Sequence, residues 1–142
     1  MSQIVNYQFD NDISHITMDD GKANAMSVKM LAGLNDALDK AEKAGGVVIL
    51  SGRSNVLSGG FDLGVFKSGD NAQILEMLTL GAKLSHRMLS FPSPIIAACS
   101  GHAVAMGTFL LLCCDYRIGA KGNSKFAANE VAIGLTVPYF AI

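Results

Sequence analysis

Short apolar runs alternate along this chain with longer segments in which apolar residues recur at helical spacing. Residues 47–50 and 95–99 are continuous apolar runs, as expected for strands that are covered on both faces. Helical spacing follows the N-cap candidate Ser27 and recurs over residues 71–89. Strands that alternate with helices predict an α/β fold. Because no low-complexity tract or linker interrupts residues 1–142, we expect a single domain.

The remaining elements are predicted from side-chain alternation and turn residues. Residues 4–9 and 13–17 alternate apolar and polar side chains on either side of Asp10-Asn11-Asp12, which predicts a β-hairpin. Residues 100–105 predict a turn with a short extended piece. Three more segments are predicted by the same criteria: a loop over 51–64, a short apolar helix over 106–114 and a strand over 116–120.

Composition and charge exclude several function classes. Half of the residues are hydrophobic and 16% are charged, which excludes a disordered chain. The net charge of -1 gives no overall attraction to nucleic acid or to an anionic membrane. Residues 94–114 carry no Asp, Glu, Lys or Arg over a length that spans a bilayer, but polar and glycine residues at their centre favour a buried strand-turn-helix unit. We therefore expect no membrane partner.

The three cysteines, Cys99, Cys113 and Cys114, are odd in number and lack the spacing of metal ligands. We therefore expect no metal site, and we interpret these cysteines as buried packing residues of a protein in a reduced, cytoplasmic compartment. Residues 1–12 are polar and include Asp10 and Asp12, so they do not resemble a signal peptide.

Two glycine-containing loops follow the predicted buried strands, where α/β proteins place ligand sites. The first, residues 51–63, is not a phosphate-binding P-loop, because no Gly-Lys-Ser/Thr step enters a helix, and its glycines lack the dinucleotide spacing. The second begins at Gly101 and places a helix start at about Met106, where free backbone N–H groups can meet negative charge. His102 in this loop is interpreted as a histidine satisfied within a packed turn.

Three segments, in this order and at this spacing, resemble the crotonase family of enoyl-CoA hydratases and isomerases. Residues 58–63 (Ser-Gly-Gly-Phe-Asp-Leu) match the family's first oxyanion loop, Ala-Gly-x-Asp-Leu. Residues 101–107 and 114–118 match the second loop and the Cys-Asp-x-Arg-Ile that follows its apolar helix. Residues 21–26 (Gly-Lys-Ala-Asn-Ala-Met) are similar to the family segment that lines the coenzyme A site. The resemblance spans residues 4–134.

The resemblance implies a fold and a set of site residues. The expected fold is a crotonase-like spiral of repeated strand-strand-helix units. Because residues 137–142 are apolar and no closing helix follows, we expect the chain to end before this fold is complete. By the family match, the backbone N–H groups of Phe61 and Met106 donate to the thioester oxygen of an acyl-CoA. The implied contacts with substrate are Lys22, Ala23, Asn24, Ser58, Gly59, Gly60, Phe61, Asp62, Leu63 and Met106.

The acid/base group is the remaining requirement. Many hydratases of the family use two glutamates, and the first of these positions holds Phe109 here. The second falls on Glu130, in a segment that resembles the family's Pro-Glu-x-x-x-Gly, so Glu130 is the one carboxylate placed for proton transfer. One glutamate opposite two oxyanion donors suits a 1,3-proton shift that converts 3-enoyl-CoA to 2-enoyl-CoA in fatty-acid metabolism. A hydratase and a non-catalytic acyl-CoA-binding protein are the alternatives.

The resemblance also implies partners. We expect an acyl-CoA substrate, no separate cofactor and no nucleic acid. We expect the full-length form to be a homo-oligomer, a trimer or a dimer of trimers, because family members build trimers from helices beyond the region matched here.

Overall fold

The first hairpin forms where the sequence predicts it, because the residues at its turn tolerate the backbone conformation that a tight turn requires. β1 (Val5–Asp10) pairs antiparallel with β2 (Ile13–Met18). The two turn residues, Asn11 and Asp12, have φ values of 49° and 61°, and asparagine and aspartate tolerate this left-handed region better than other side chains. This computed structural model describes residues 3–142.

The elements that follow continue in a regular order. They are α1 (Val28–Ala44), β3 (Val47–Ser51), β4 (Asn55–Ser58), α2 (Leu63–Ser68), α3 (Asn71–Leu89), β5 (Ile95–Cys99), β6 (Gly101–Val104), α4 (Met106–Leu112), β7 (Tyr116–Gly119) and β8 (Phe126–Ala127). Two short 3-10 helices, Val131–Ile133 and Tyr139–Ala141, follow β8.

The strands form two sheets whose members come from successive repeats. One sheet has the order β1-β2-β3-β5-β7, and the other has the order β4-β6-β8. Apart from the β1–β2 hairpin, every pair within the sheets is parallel. Each strand of the second sheet directly follows a strand of the first, so β3-β4, β5-β6 and β7-β8 are equivalent pairs. This repetition confirms the predicted α/β spiral of strand-strand-helix units.

Each long helix starts at a capping residue and has one face of apolar residues that it buries in the core. Ser27 caps α1 by accepting a hydrogen bond from the N–H of Met30, and Gly45 ends the helix at a φ of 73°. Asp70 caps α3 in the same way. The stripe that α1 buries comprises Met30, Leu31, Leu34, Ala37, Leu38 and Ala41. These side chains join one core with β2, β3, β5 and α3.

The prediction differs from the structure in three segments. Residues 51–64, predicted as one loop, contain β4 and the start of α2. The helix predicted over 106–114 ends at Leu112, and β8 was not predicted. The short strands β4 and β8 exist because β6 supplies their backbone partners, which local sequence patterns do not reveal. At Gly101 the β4–β6 approach is so close that an added Cβ would overlap the backbone of Asn55.

The charge-free residues 94–114 fold as β5, β6 and α4, as the sequence predicts. Among residues 3–142, no helix is long and apolar enough to cross a membrane. Cys99, Cys113 and Cys114 are free thiols with buried side chains, which agrees with their predicted packing role. Burial raises the pKa of each thiol, and that of Cys114 rises to about 12.

Candidate functional site

A cavity of about 300 Å³ lies where the loop after β4, the loop after β6 and residues 129–138 meet. Its walls are mostly apolar. The lining residues are Gly59, Phe61, Leu63, Phe66, Leu78, Val104, Ala105, Asn129, Glu130, Ile133, Leu135, Thr136 and Pro138. An apolar cavity with few polar groups is the usual form of a small-molecule site.

The loop after β4 holds Phe61 by hydrogen bonds on either side of it. The buried hydroxyl of Ser58 donates to the carbonyl of Asn24 at 2.7 Å and accepts from the N–H of Gly60 at 3.1 Å. Met26 holds the chain on both sides of Phe61: its N–H donates to the carbonyl of Gly60, and its carbonyl accepts from the N–H of Asp62. None of these bonds involves the N–H of Phe61, which donates to no acceptor within residues 3–142.

The loop after β6 leaves a second N–H free. Ala105 has a φ of 52°, in the left-handed region, and its N–H donates to the carbonyl of Ala127 at 2.7 Å. The carbonyl of Ala105 accepts from Thr108 and Phe109 at the start of α4. Met106 is the first residue of this helix, and its N–H has no acceptor in the described part of the chain.

The two loops touch at Gly60. Its φ is 96°, and a Cβ added there would lie 2.8 Å from the Cβ of Ala105, 3.0 Å from the carbonyl oxygen of Val104 and 3.4 Å from the nitrogen of Met106. Glycine is therefore required at this position both by backbone conformation and by space. The close approach brings the segments that carry the free N–H groups of Phe61 and Met106 against each other.

Glu130 faces this cavity with an unsatisfied oxygen. The residue is 5% exposed, and its Oε2 has no hydrogen-bond partner in the described chain. Its own carbonyl is fixed, because it accepts from the N–H groups of Ile133 and Leu135. The neighbouring Asn129 also has a buried Oδ1 without a partner. Glu130 is the only ionisable side chain among the cavity residues that the structure describes.

Phe109 lies elsewhere. Its ring is buried and meets Phe140 edge-on, with centroids 6.3 Å apart. Both rings line a separate cavity of about 210 Å³, together with Ser85 and Cys113. The position that carries a glutamate in many hydratases thus holds an aromatic ring directed to another cavity in this chain.

The loop between β2 and α1 is organised around the carboxylate of Asp20. This group accepts from the N–H of Lys22 at 2.7 Å, of Asn24 at 2.9 Å and of Ala25 at 3.0 Å. Partial burial acts to raise the pKa of Asp20. The three N–H donors and the nearby Arg53 outweigh burial, so the pKa lies below its ordinary value of 3.8.

Asn24 serves this loop as a structural residue. Its side chain is fully buried, accepts from the N–H of Asp20 at 2.9 Å, and donates to the carbonyls of Met18 and Leu57 at 3.0 Å and 3.1 Å. Its φ of 49° is in the left-handed region. Because its amide groups are already bonded, a contact between this side chain and a ligand requires one of these bonds to break.

The remaining predicted site residues divide into two groups. Gly59 and Leu63 line the cavity, and the N–H of Gly59 donates to the carbonyl of Ala23 at 2.8 Å, which joins the Lys22–Asn24 loop to the cavity edge. Asp62 does not line the cavity; its carboxylate caps α2 by accepting from the N–H of Gly64. The cavity residues Asn129, Phe66 and Leu78 were not predicted from the sequence. Of these three residues, only Asn129 could have been suspected from the sequence, because it directly precedes Glu130.

His102 stays outside the cavity. Its side chain is exposed, and its Nδ1 accepts from the N–H of Lys125 at 2.9 Å. His102 is thus satisfied, as interpreted from the sequence, but the packed turn is wrong: the residue is exposed and lies in β6.

Comparison with known proteins gives one consistent family. The family model for enoyl-CoA hydratase/isomerase matches residues 8–142. A probable enoyl-CoA hydratase of Bacillus subtilis is 34% identical over 135 residues, which are 93% of this chain and 52% of that protein. Enoyl-CoA delta isomerase 3 of Arabidopsis thaliana is 34% identical over 116 residues, 79% of this chain and 48% of that protein. The chain thus spans about half the length of the curated relatives it matches.

Solved structures have the same fold. A Mycobacterium tuberculosis structure described as a probable enoyl-CoA hydratase superposes with a TM-score of 0.92 and 45% identity, covering 97% of this chain and 58% of that one. A second structure of the same Mycobacterium tuberculosis gene product, described there as an enoyl-CoA isomerase, has a TM-score of 0.92 and 44% identity, covering 99% of this chain and 61% of that one. The two reaction names are thus given to one and the same protein.

Proposed function

This chain belongs to the enoyl-CoA hydratase/isomerase family, and we propose that its protein isomerises 3-enoyl-CoA to 2-enoyl-CoA through a thioester enolate. The observation that carries this proposal is a cavity in which, among the described residues, Glu130 is the one ionisable side chain, beside two loops whose Phe61 and Met106 N–H groups have no acceptor in residues 3–142. A 1,3-proton shift requires one base that also returns the proton, together with donors for the negative charge that develops on oxygen.

The donors act on the thioester oxygen. In this mechanism the N–H groups of Phe61 and Met106 bind that oxygen and strengthen their hydrogen bonds as it gains charge. Because both donors are backbone groups held by Gly60, Met26 and Ala105, they need no reorganisation when the charge appears. Removal of one such donor typically costs about 3 kcal/mol of transition-state stabilisation.

Glu130 transfers the proton. Its carboxylate removes a proton from C2, the C3–C4 double bond shifts to C2–C3 through the enolate, and the same proton returns to C4. No net proton or electron is gained or lost. The apolar walls, among them Leu63, Phe66 and Leu78, suit the acyl chain and restrict water, which would otherwise compete for the enolate.

A hydratase is the second candidate, and Asn129 is the observation that favours it. Adding water to 2-enoyl-CoA requires a water that is both oriented and deprotonated. The unpartnered Oδ1 of Asn129 can accept a hydrogen bond from such a water beside Glu130. Against this candidate, the first of the two glutamate positions used by many family hydratases holds Phe109, whose ring lines another cavity.

The coenzyme A portion is proposed to bind along residues 22–24, next to Gly59. Lys22 is exposed at this edge and offers a cation to phosphate, and the N–H–carbonyl bond between Gly59 and Ala23 keeps the segment at the cavity mouth. A homotrimeric or hexameric assembly, a cytoplasmic location and the lack of a separate cofactor stay predictions of the family resemblance.

Turnover of two substrates tests the proposal. The protein, expressed from its complete coding sequence, is supplied with 3-hexenoyl-CoA and with 2-hexenoyl-CoA, and the products are separated by chromatography. The proposal expects 2-hexenoyl-CoA from the first substrate at a higher kcat/KM than 3-hydroxyhexanoyl-CoA from the second. The reverse order supports the hydratase instead, and binding of both substrates without turnover supports a non-catalytic protein.

A further inference from the structure

Gly81 stands in the interior of α3, where glycine is an unfavourable choice. The helix spans Asn71–Leu89, so Gly81 is more than two turns from either end. Its φ is not positive, so a side chain at this position would meet no backbone strain. Glycine weakens a helix interior relative to alanine because it loses more backbone freedom on folding. Its presence therefore requires an explanation from packing.

The packing around Gly81 involves both proposed oxyanion residues. A Cβ at Gly81 would lie 2.5 Å from Cζ and 2.7 Å from Cε1 of the Phe61 ring, and 3.5 Å from Cε of Met106. Gly81 itself is buried, Phe61 is 9% exposed and Met106 is fully buried. Because Gly81 has no side chain, α3 leaves room there for the tip of the Phe61 ring, and the end of the Met106 side chain lies beside it.

The Phe61 ring has a second aromatic contact, and its backbone is fixed. The ring meets that of Phe66 edge-on, with centroids 6.5 Å apart and an interplanar angle of 83°. Its backbone is held by the hydrogen bonds between Met26 and the residues on either side of Phe61. A methyl group that displaces the tip of this ring therefore acts on a residue whose backbone is fixed on both sides.

We propose that Gly81 is a positioning residue that sets the place of the Phe61 N–H, and secondarily of the Met106 N–H, through their side chains. The inference rests on the proposed function, in which these two N–H groups bind the thioester oxygen. A methyl group at Gly81 must be accommodated by a shift of about 1 Å, because carbon atoms in contact stay about 3.5–4.0 Å apart. A misplacement of that size at a catalytic group costs up to about 100-fold in rate.

The first variant is Gly81→Ala. We expect kcat on 3-hexenoyl-CoA to fall about 10- to 100-fold, while KM changes by less than about threefold, because the three atoms nearest the added Cβ belong to Phe61 and Met106 and not to residues 22–24, the segment proposed to hold coenzyme A. A second readout is binding of 3-oxohexanoyl-CoA, whose enolate has its own ultraviolet band. The Gly81→Ala variant should bind this probe with similar affinity but hold a smaller fraction of it as enolate.

Rescue separates positioning from damage to the helix. Phe61→Leu shortens the side chain but keeps the backbone N–H, so Gly81→Ala combined with Phe61→Leu should regain most of the lost kcat. Gly33→Ala is the matched control: Gly33 is also inside a helix, and its added Cβ would crowd Cγ2 of Val5 at 2.9 Å, away from the cavity. Gly33→Ala should alter thermal stability without altering kcat or the enolate fraction.

The outcomes are distinct. A wild-type protein that turns over neither 3-enoyl- nor 2-enoyl-CoA contradicts the proposed function itself. An active wild-type protein whose Gly81→Ala variant keeps kcat and the enolate fraction contradicts the role of Gly81 alone. A loss that Phe61→Leu does not restore also overturns the inference, because the effect then does not pass through the Phe61 ring.

Discussion

Replacement of Gly60 by alanine tests the junction of the two loops. At a φ of 96°, an alanine costs about 1–2 kcal/mol of conformational strain. Its Cβ would also approach the Cβ of Ala105 to 2.8 Å and the backbone oxygen of Val104 to 3.0 Å, and such crowding typically costs about 1–3 kcal/mol. The sum is about 2–5 kcal/mol of unfolding free energy, and the middle of this range corresponds to a fall of about 10 °C in Tm for a chain of this size.

Thermal and urea unfolding, followed by circular dichroism, measure this effect, and Gly69→Ala supplies the control. Gly69 has a similar left-handed φ of 70°, but nothing lies within 4 Å of its added Cβ. Gly69→Ala should therefore cost only the strain, about 1–2 kcal/mol. The difference between the two variants isolates the contact between the loops. If Gly60→Ala is no more destabilising than Gly69→Ala, the loops do not meet as described.

Three further predictions concern the surrounding residues. Asn24→Ala removes three hydrogen bonds, two of them buried, and we expect a loss of about 2–4 kcal/mol in urea unfolding; a loss below 1 kcal/mol would contradict the structural role of this side chain. Because the folded pKa of Asp20 lies below its unfolded value, the carboxylate contributes stability above the unfolded pKa and loses it as pH falls through the folded pKa. Asp20→Asn should thus flatten the fall in stability between about pH 5 and pH 2, and an unchanged pH profile would refute this assignment. Phe109→Glu places a carboxylate against Phe140 outside the acyl cavity, so we expect a loss of about 3 kcal/mol or more without a gain in hydratase turnover; a gain would show that this side chain reaches the substrate.

The sequence predicts elements whose signals are local. The bounds of α3 and β5 match the prediction because capping residues and apolar runs mark both ends. The strands β4 and β8 were missed because their pairing partner, β6, is distant in the chain. The loop residues 51–64 have the glycine and serine content of a turn, and only the parallel pairing with β6 turns part of that segment into a strand.

Parts of the candidate site could also be predicted from the sequence, where the signals are local. The free N–H of Met106 follows from its place at a helix start, and Phe61 follows from the loop motif. The surroundings of a side chain are a tertiary property: the ring of Phe109 meets that of Phe140, and Asn129, whose Oδ1 is buried without a partner, lines the cavity. The contact between the Phe61 ring and Gly81 joins residues twenty positions apart, so no local sequence pattern predicts it.

Glu130→Gln tests the central claim most directly. Glutamine keeps the size of the side chain and its hydrogen-bonding capacity but cannot accept the C2 proton. In the full-length protein, we expect kcat on 3-hexenoyl-CoA to fall by about two to four orders of magnitude. Binding of 3-hexenoyl-CoA, measured by calorimetry, should change little, because the backbone donors of Phe61 and Met106 remain. A Glu130→Gln variant that retains near-wild-type turnover would contradict the one-glutamate mechanism.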